Sequence, residues 1–402
     1  MLVISKKKIL IFILFLLSLL INQYYGNRGV FPVDSFAHFD TGFRILLGEY
    51  PFKDYWIVSG PFVDYLQAIF FYFFGVNWQI YIFHASLLNA ILSVVTFLVL
   101  INFRLNLYYS FFYALLFSIL AYPSSGTPFV DHHSAFFSLL GVYSLILGIE
   151  KEEKKYWIIF PIFFVFGFLS KQVPAAYIGL SAIFVLLIYS ILKKKFFWVK
   201  YSFLSFSITI ILLVFFLKIQ SISINSFLEQ YVYYPQTIAS NRFNNLNLTF
   251  NGVIGQFKFI YIALAPLFFV NLKKIFEEKN YLRNNNFFHF LILFLLTFSL
   301  IAHQILTSNQ IFIFFLIPIL FAFSHMSFFI FNNNKNKLIS LVLISICLFA
   351  TTKYHLRFNE NRKFHELNYV DFKLFANAEK VDEKFFGLKW ITPKYKNESN
   401  EE

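Results

Sequence analysis

The chain has 402 residues, of which 58% are hydrophobic, 22% aromatic and only 14% charged. An ordinary soluble domain is about 45–50% apolar and about 25% charged, so this composition excludes a soluble globular protein and predicts an all-α polytopic membrane protein. The formal net charge of +13 does not indicate a nucleic-acid-binding protein, because the lysines and arginines fall in short clusters between apolar runs, as they do in the cytoplasmic loops of membrane proteins.

Apolar runs recur along the whole chain, although several are shorter than the roughly 20 residues that a bilayer core requires of a helix. The first run follows Lys6, Lys7 and Lys8 and resembles a secretory signal. No small-residue cleavage site comes after it, so we expect a retained span that runs from inside to outside. The eleven candidate spans are 9–21, 79–101, 107–122, 134–149, 157–170, 174–192, 201–217, 253–271, 287–305, 311–331 and 338–352.

The run 61–74 decides the orientation of every later span. It is short, includes Asp64 and Gln67, and falls in the length range typical of interfacial or re-entrant segments. If it crossed the membrane, every basic cluster after Lys8 would lie outside, against the positive-inside rule. We therefore predict about 11 transmembrane helices, an interfacial helix in the first extracytoplasmic loop and an outside C-terminus.

This orientation places three segments of interest on the outer face, namely 23–78, 123–133 and 218–252. Ionisable groups at membrane depth are costly, so those that persist are candidates for function. The groups that this orientation gathers on one face are Asp34, Asp40, Asp54, Asp64, Asp131, His132, His133 and Lys171.

A helix is predicted over residues 35–47, because Asp34 stands at its start and Gly48 follows its end. Asp34 is suited to cap this helix by accepting backbone N–H bonds. A carboxylate near an apolar surface is also suited to act as a general base toward a hydroxyl group. The two roles are compatible.

Asp131, His132 and His133 follow a loop that contains proline and glycine, so Asp131 stands near the positive end of the next helix. Three roles stay open: a helix cap, a contact with substrate, and a divalent metal site made by Asp131 and His132, because carboxylate and imidazole suit zinc or manganese. Adjacent histidines on a helix point about 100° apart, so one ion would not easily take both rings. The single cysteine, Cys347, provides neither a disulfide nor a cysteine-based metal site.

Lys171 ends an apolar run at the outer face, where it could bind a phosphate or simply extend to the interface. The segment 218–252 holds tyrosines and amides that suit a sugar-binding surface, although tyrosine is also usual in the aromatic belt of membrane proteins. The residues concerned are Glu229, Tyr231, Tyr233, Tyr234, Gln236, Asn241 and Arg242.

A short outer turn between two late spans carries further polar residues. Our interpretation favours a structural turn over a shared cavity lining. The residues are His303, Gln304, Asn309 and Gln310.

The first outer segment resembles that of the C-type (GT-C) glycosyltransferases, which are membrane enzymes that use polyprenyl-phosphate sugars, such as the protein O-mannosyltransferases and the lipid A aminoarabinose transferase. The resemblance rests on an acidic residue after the first span, the run RILLGEYPFKDYW, the following GP, and the aromatic stretch that ends in FFYFFG. The run FGFLSKQVPA around Lys171 is similar to the family's Gly-rich span end. The resemblance covers about residues 1–195.

The resemblance implies roles for several aspartates. Asp34 takes the place of the family's catalytic aspartate, with Asp54 following in register. Ser35 replaces the usual glutamate, which leaves Asp40 as a rival for the catalytic role. Asp131 stands where the family has its second acidic residue.

The implied reaction is an inverting transfer on the outer face of the cytoplasmic membrane. The acceptor hydroxyl loses its proton to Asp34 or Asp40 and attacks the anomeric carbon of the sugar, and polyprenyl phosphate leaves. The leaving phosphate needs stabilisation by cations or a metal ion, for which we name Lys171, Arg242 and Arg28 in that order. Further predicted substrate contacts are Asp54, His132, His133 and Tyr234.

The predicted domains are a transmembrane part over 1–352, with a catalytic module over 1–195 and a variable part over 196–352, and a small extracytoplasmic tail over 353–402. The expected partners are a polyprenyl-phosphate-sugar donor, the lipid bilayer and a glycan, lipid or protein acceptor. No cofactor follows firmly from the sequence beyond the divalent metal ion considered above. Two alternatives stay open, a transporter or flippase for lipid-linked glycans and a non-catalytic scaffold of the same fold.

Overall fold

The computed structural model describes residues 2–28, 34–121, 126–307, 313–332, 337–357 and 370–393. The apolar runs in these ranges form helices, because a chain in lipid must satisfy its own backbone hydrogen bonds. The α-helices of the described ranges are α1 (Leu2–Gly26), α2 (Asp34–Leu46), α3 (Pro61–Phe74), α4 (Trp78–Asn102), α5 (Leu107–Ala121), α6 (Val130–Lys151), α7 (Lys154–Ser170), α8 (Gln172–Lys193), α9 (Phe197–Ile219), α10 (Ile224–Leu228), α11 (Tyr234–Asn244), α12 (Lys258–Glu277), α13 (Asn285–Thr307), α14 (Leu316–Asn332) and α15 (Lys337–His355). An antiparallel hairpin of β1 (Val370–Asn377) and β2 (Lys389–Pro393) follows them.

Eight helices in the described ranges are long and apolar enough to cross a membrane, namely α1, α4, α6, α8, α9, α12, α13 and α15. The other three predicted spans contribute the shorter helices α5, α7 and α14, which have 15, 17 and 17 residues. Each of the eleven predicted runs therefore contributes a helix. The prediction of an all-α polytopic membrane protein is confirmed.

α6 lies at the centre of the bundle, and every residue from Val130 to Ile149 is buried. α7 packs closely along it because two glycines of α6 leave room. A Cβ atom on Gly141 would lie 2.5 Å from Cε2 of Phe164, and one on Gly148 would lie 3.0 Å from the ring of Trp157. Among the eight long apolar helices of the described ranges, α6 is thus the most buried, and its first turn shares this enclosure.

The end of α6 marks the opposite end of the bundle. Lys151 Nζ donates to Oδ1 of Asn102 at 2.7 Å, and the neighbouring Glu152 pairs with Lys195 in the turn between α8 and α9. Two of the basic clusters that the sequence assigns to inner loops, those of Lys151 and Lys195, therefore meet at this end of α6.

The helix predicted over residues 35–47 is confirmed as α2. It ends before Gly48, whose φ of +85° lies in the left-handed region that favours glycine. The predicted interfacial helix is α3, which has 14 residues and is too short to cross a bilayer core unaided. α2 packs along α3, where His38 Nδ1 lies 2.7 Å from Oδ1 of Asp64.

The outer segment 218–252 is helical over much of its length. α10 continues through a π-helical turn, Glu229–Tyr233, into α11. Of the tyrosines predicted to form a sugar-binding surface, Tyr231 anchors this helical segment, whereas Tyr233 and Tyr234 are exposed. Phe227 and Tyr231 are buried and contact Phe52, with ring centroids 5.1 and 5.8 Å apart.

Beyond the end of α15, the described part of the C-terminal tail forms the β1–β2 hairpin. Phe375 pairs with Ile391 and Asn377 with Lys389. The chain between the strands makes two short 3₁₀ turns, Ala378–Lys380 and Glu383–Phe385. The predicted disorder of 394–402 falls outside the described residues.

Candidate active site

Asp131 lies in the first turn of α6 and is only 2% exposed. Its two carboxylate oxygens have different donors. Lys171 Nζ lies 2.6 Å from Oδ2, and His303 Nε2 lies 2.7 Å from Oδ1. A buried carboxylate is costly unless it is paired and hydrogen-bonded, and both conditions are met here. The helix N-terminus also favours its negative charge.

Lys171 lies at the break between α7 and α8, where its backbone is extended with φ −161° and ψ 137°. Its backbone N–H donates to the carbonyl oxygen of Gly167 at 3.0 Å. Its own carbonyl oxygen accepts from Oγ of Ser134 at 2.9 Å. Both the main chain and the side chain of Lys171 are therefore bound to the first two turns of α6.

His303 lies in the last two turns of α13 and is 2% exposed. Because a carboxylate only accepts, the Nε2 atom that faces Asp131 carries a proton. The carbonyl oxygen of His303 accepts from Oγ1 of Thr307 at 2.8 Å. The sequence interpretation assigned His303 to a structural turn and missed this contact. Asn309 and Gln310 fall outside the described residues.

A cavity of about 220 Å³ opens beside this trio. Lys171, His303 and Arg242 line it together. Arg242, near the end of α11, is exposed and is not in an ion pair with any side chain of the described ranges. The cavity therefore brings together two of the three cations predicted to bind phosphate. Its remaining lining residues are Val58, Ser59, Gln172, Val173, Tyr177, Pro235, Ile238, Ala239, Phe243, Leu306 and Thr307.

Two glutamines fix the walls of this cavity. Gln172 Nε2 donates to the carbonyl oxygens of Val58 and Tyr231, at 2.9 and 2.6 Å. Gln230 Oε1 accepts from the backbone N–H of Ile57 at 3.1 Å, and its Nε2 donates to the carbonyl oxygen of Phe52 at 3.3 Å. The 51–60 loop is thus bound both to α8 and to the helical segment that leads into α11.

The other predicted aspartates lie on or near α2. Asp34 is the first residue of α2; its side chain is outside the described part. Asp40 Oδ2 accepts from Nε of Arg44 at 2.7 Å in an ion pair that leaves the Asp40 side chain 59% exposed. Asp54 is exposed, and its Oδ2 accepts from the backbone N–H of Tyr50 at 2.7 Å. Asp54 therefore stabilises its own turn, and it does not line the cavity beside Asp131.

Asp64 forms a polar contact between α3 and α2 that the sequence interpretation did not develop. It is fully buried, and its Oδ1 accepts from Oγ1 of Thr41 at 2.6 Å in addition to facing His38. Burial raises the pKa of the Asp64 carboxyl, and the contacts with His38 and Thr41 offset part of that rise. The pair fixes α2 on α3.

His132 and His133 are both buried and point into the bundle. The ring of His132 packs on Phe136 at a centroid distance of 4.6 Å. His133 Nδ1 donates to the carbonyl oxygen of Phe129 at 2.9 Å, and its Nε2 lies 3.1 Å from Nε2 of His84. Within the described ranges no group of three His, Cys, Asp or Glu residues could hold a metal ion. The metal site that the sequence suggested for Asp131 and His132 stays a prediction.

Tyr234 and Arg28, the two remaining residues predicted to contact the substrate, do not line the cavity beside Asp131. Tyr234, at the start of α11, packs edge-on against Trp56 at 5.5 Å and is not among the cavity residues. Arg28 contacts the hydroxyl of Tyr24, lies beside the C-terminal hairpin and is not among the residues that line the cavity beside Asp131.

Two apolar cavities lie along α7 and α9. One of about 470 Å³ runs between the two helices, and one of about 240 Å³ reaches Phe52 and Tyr65. Both are lined by Leu169, Leu213 and Phe216, so they adjoin. Leu169 lies two residues before Lys171, which places this apolar path close to the cation.

Residues 58–216 match the dolichyl-phosphate-mannose-protein mannosyltransferase family. The match confirms the resemblance to the GT-C membrane glycosyltransferases and supports a membrane-embedded glycosyltransferase that uses a lipid-linked sugar. It includes Asp131 and Lys171, begins after Asp34 and ends before Arg242. A comparison with curated proteins finds no match.

Proposed function

We propose that this protein transfers a sugar from a polyprenyl-phosphate donor to a hydroxyl group of a glycan, lipid or protein acceptor. The observation that carries the proposal is the shared cavity of Lys171, Arg242 and His303 beside the buried Asp131. Cations that line a cavity next to an apolar path fit a ligand with an anionic head and a long hydrocarbon tail.

In this proposal the phosphate of the donor binds between Lys171 and Arg242. Asp131 holds Lys171 in place, and Arg242 supplies an exposed guanidinium with geometry suited to phosphate oxygens. The two cations stabilise the negative charge that grows on the phosphate as the bond to the anomeric carbon breaks. The isoprenoid tail lies along the apolar surface of α7 and α9.

Asp34 acts as the general base. It takes the proton of the acceptor hydroxyl while the acceptor oxygen bonds to the anomeric carbon. Polyprenyl phosphate leaves with the electrons of the broken C–O bond, and the configuration is inverted. We prefer Asp34 to Asp40 because the Asp40 carboxylate is already held by Arg44 on the exposed side of α2.

The site lies on the outer face of the cytoplasmic membrane in this proposal. The basic turns that contain Lys151 and Lys195 lie at the other end of the bundle, and the positive-inside rule places such turns in the cytoplasm. Asp131 and Lys171 then face the outside.

The test uses purified protein in proteoliposomes with synthetic polyprenyl-phosphate mannose and polyprenyl-phosphate glucose, and measures the release of polyprenyl phosphate with a cell-envelope extract as acceptor source. Wild-type protein should release it. At normal protein levels, Asp34→Asn should abolish release and Asp131→Asn should lower it by about 100-fold or more. Full activity in both variants would refute the assignment. Movement of the intact donor between leaflets without release would support a flippase instead.

A further inference from the structure

The C-terminal hairpin packs on α2, the helix that begins at Asp34. The ring of Phe36 lies 5.7 Å from that of Phe385 and 6.4 Å from that of Trp390. Phe39, one turn further along α2, lies 6.2 Å from Phe385. Part of the apolar face of α2 is therefore covered by residues that come more than 340 positions later in the chain. The rest of that face packs on Phe71, Trp78 and Tyr81 of α3 and α4.

The hairpin is also bound to the ends of two transmembrane helices. The backbone N–H of Lys389 donates to the carbonyl oxygen of Asn27, just after α1, at 2.9 Å. Gly387 lies against Gln79 in the first turn of α4, and a Cβ atom on Gly387 would lie 1.9 Å from Nε2 of Gln79. Gly387 also has φ +89°. The hairpin thus packs in a defined position against α2 and the ends of α1 and α4.

The opposite side of α2 contacts α3. His38 and Thr41 both contact Asp64, and a Cβ atom on Gly42 would lie 2.8 Å from Cγ of Gln67. α2 has only 13 residues, and an isolated helix of that length is marginal in water. Its position therefore depends on the two surfaces between which it lies.

We propose that the hairpin, residues 370–393, is a positioning element that fixes α2, and with it Asp34, relative to Asp131. This inference rests on the proposed function, because Asp34 is the base there. Phe385, Gly387 and Trp390 are positioning residues that act through α2 and do not touch the substrate. The C-terminal tail, which the sequence predicts to be a small extracytoplasmic segment, thus contributes to sugar transfer by positioning α2.

Gly387→Ala tests the inference, with Val381→Ala as the matched control. Gly387 has no room for a Cβ atom, whereas Val381 lies in the same hairpin and is 82% exposed. Because a shift of about 1 Å in a reacting group can cost about 100-fold, we expect kcat for sugar transfer to fall by about 10- to 100-fold in Gly387→Ala. The KM for polyprenyl-phosphate sugar should stay within about twofold, because Lys171 and Arg242 are not attached to the hairpin. Val381→Ala should match the wild type.

Hydrogen exchange of the backbone amides of α2 gives a readout that does not depend on activity. Gly387→Ala should speed exchange over 34–46 and leave α6 unchanged. If Gly387→Ala is not recovered as monodisperse protein, Trp390→Ala replaces it. Trp390→Ala removes the indole ring that packs against Phe36 and leaves the turn at Gly387 intact. The same kcat and exchange changes are expected.

Faster exchange of α2 together with lower kcat supports the inference. Unchanged exchange, or faster exchange with unchanged kcat, overturns it. If the wild type releases no polyprenyl phosphate from any donor, the proposed function fails, and the exchange result alone then decides whether the hairpin fixes α2.

Discussion

Asp131 and Lys171 meet through a 2.6 Å contact between Oδ2 and Nζ, 40 residues apart in sequence and at the ends of two different helices. The lysine is not free to move as a solvated cation, because its carbonyl oxygen is bound to α6 as well. The carboxylate therefore sets where the ammonium group lies in the cavity.

Asp131→Asn should lower sugar transfer by about 100-fold or more, the loss that follows removal of one group that stabilises charge in a transition state. The amide keeps the volume but removes the charge that holds Lys171 and one of the two acceptors. Initial rates per mole of folded protein measure the effect. Glu152→Gln is the control, since it alters an exposed carboxylate paired with Lys195 at the opposite end. Equal rates in both variants would contradict the role of Asp131.

Arg242→Gln should raise the KM for the polyprenyl-phosphate donor by about 10-fold, equivalent to about 1.4 kcal/mol. The guanidinium is exposed, so thermal stability should change little. Lys218→Gln removes another exposed cation at the end of α9 and should leave the KM unchanged. A similar rise in both variants would indicate a general effect of surface charge.

Asp34→Asn should abolish transfer, whereas Asp40→Asn should keep most of it, because Asp40 forms an exposed ion pair with Arg44 and such pairs contribute little. Single-turnover rates separate the chemical step from binding. The reverse result would assign the base to Asp40.

The stability of the protein should depend on pH through Asp64. Its folded-state pKa lies above the usual value of 3.8 because of burial, so the folded state binds the proton more tightly than the unfolded state does. This contribution is fully present below about pH 3.8 and is lost as pH rises through the folded-state pKa. Asp64→Asn cannot lose a proton there. Thermal unfolding in detergent should show the wild-type Tm falling relative to that of the variant as pH rises above about 4, and parallel curves would exclude this origin.

A reporter fused at Lys194 should report the cytoplasm, because the turn between α8 and α9 carries a basic cluster. A fusion at Gln220, after α9, should report the outside. An outside signal at Lys194 would show that α3 crosses the membrane.

The sequence was a good guide where the signal is local. The predicted helix 35–47 differs from α2, Asp34–Leu46, by one residue at each end, because the residues that begin and end a helix are neighbours in the chain. The orientation argument likewise placed Asp131 and Lys171 on one face, and the structure brings them into contact.

Contacts between residues that are far apart in the chain could not be predicted from the local sequence. His303 reaches Asp131 from α13, 172 residues away, and nothing near His303 in the chain distinguishes it from a residue of a turn. Tyr231 was grouped with its neighbouring tyrosines as a sugar-binding surface, yet its ring is buried and packs against Phe52. The hairpin depends in the same way on Phe36 and Phe39, which cover it from far upstream.

Gln172 has one amide nitrogen, and both of its hydrogens are in use, one on the carbonyl oxygen of Val58 and one on that of Tyr231. Three separate stretches of the chain therefore converge on a single atom. Leucine, of similar size, would supply neither donor, and glutamate would place a negative charge against two carbonyl oxygens. Among the residues that frame the cavity, this position should tolerate the fewest replacements, although its side chain performs no chemistry.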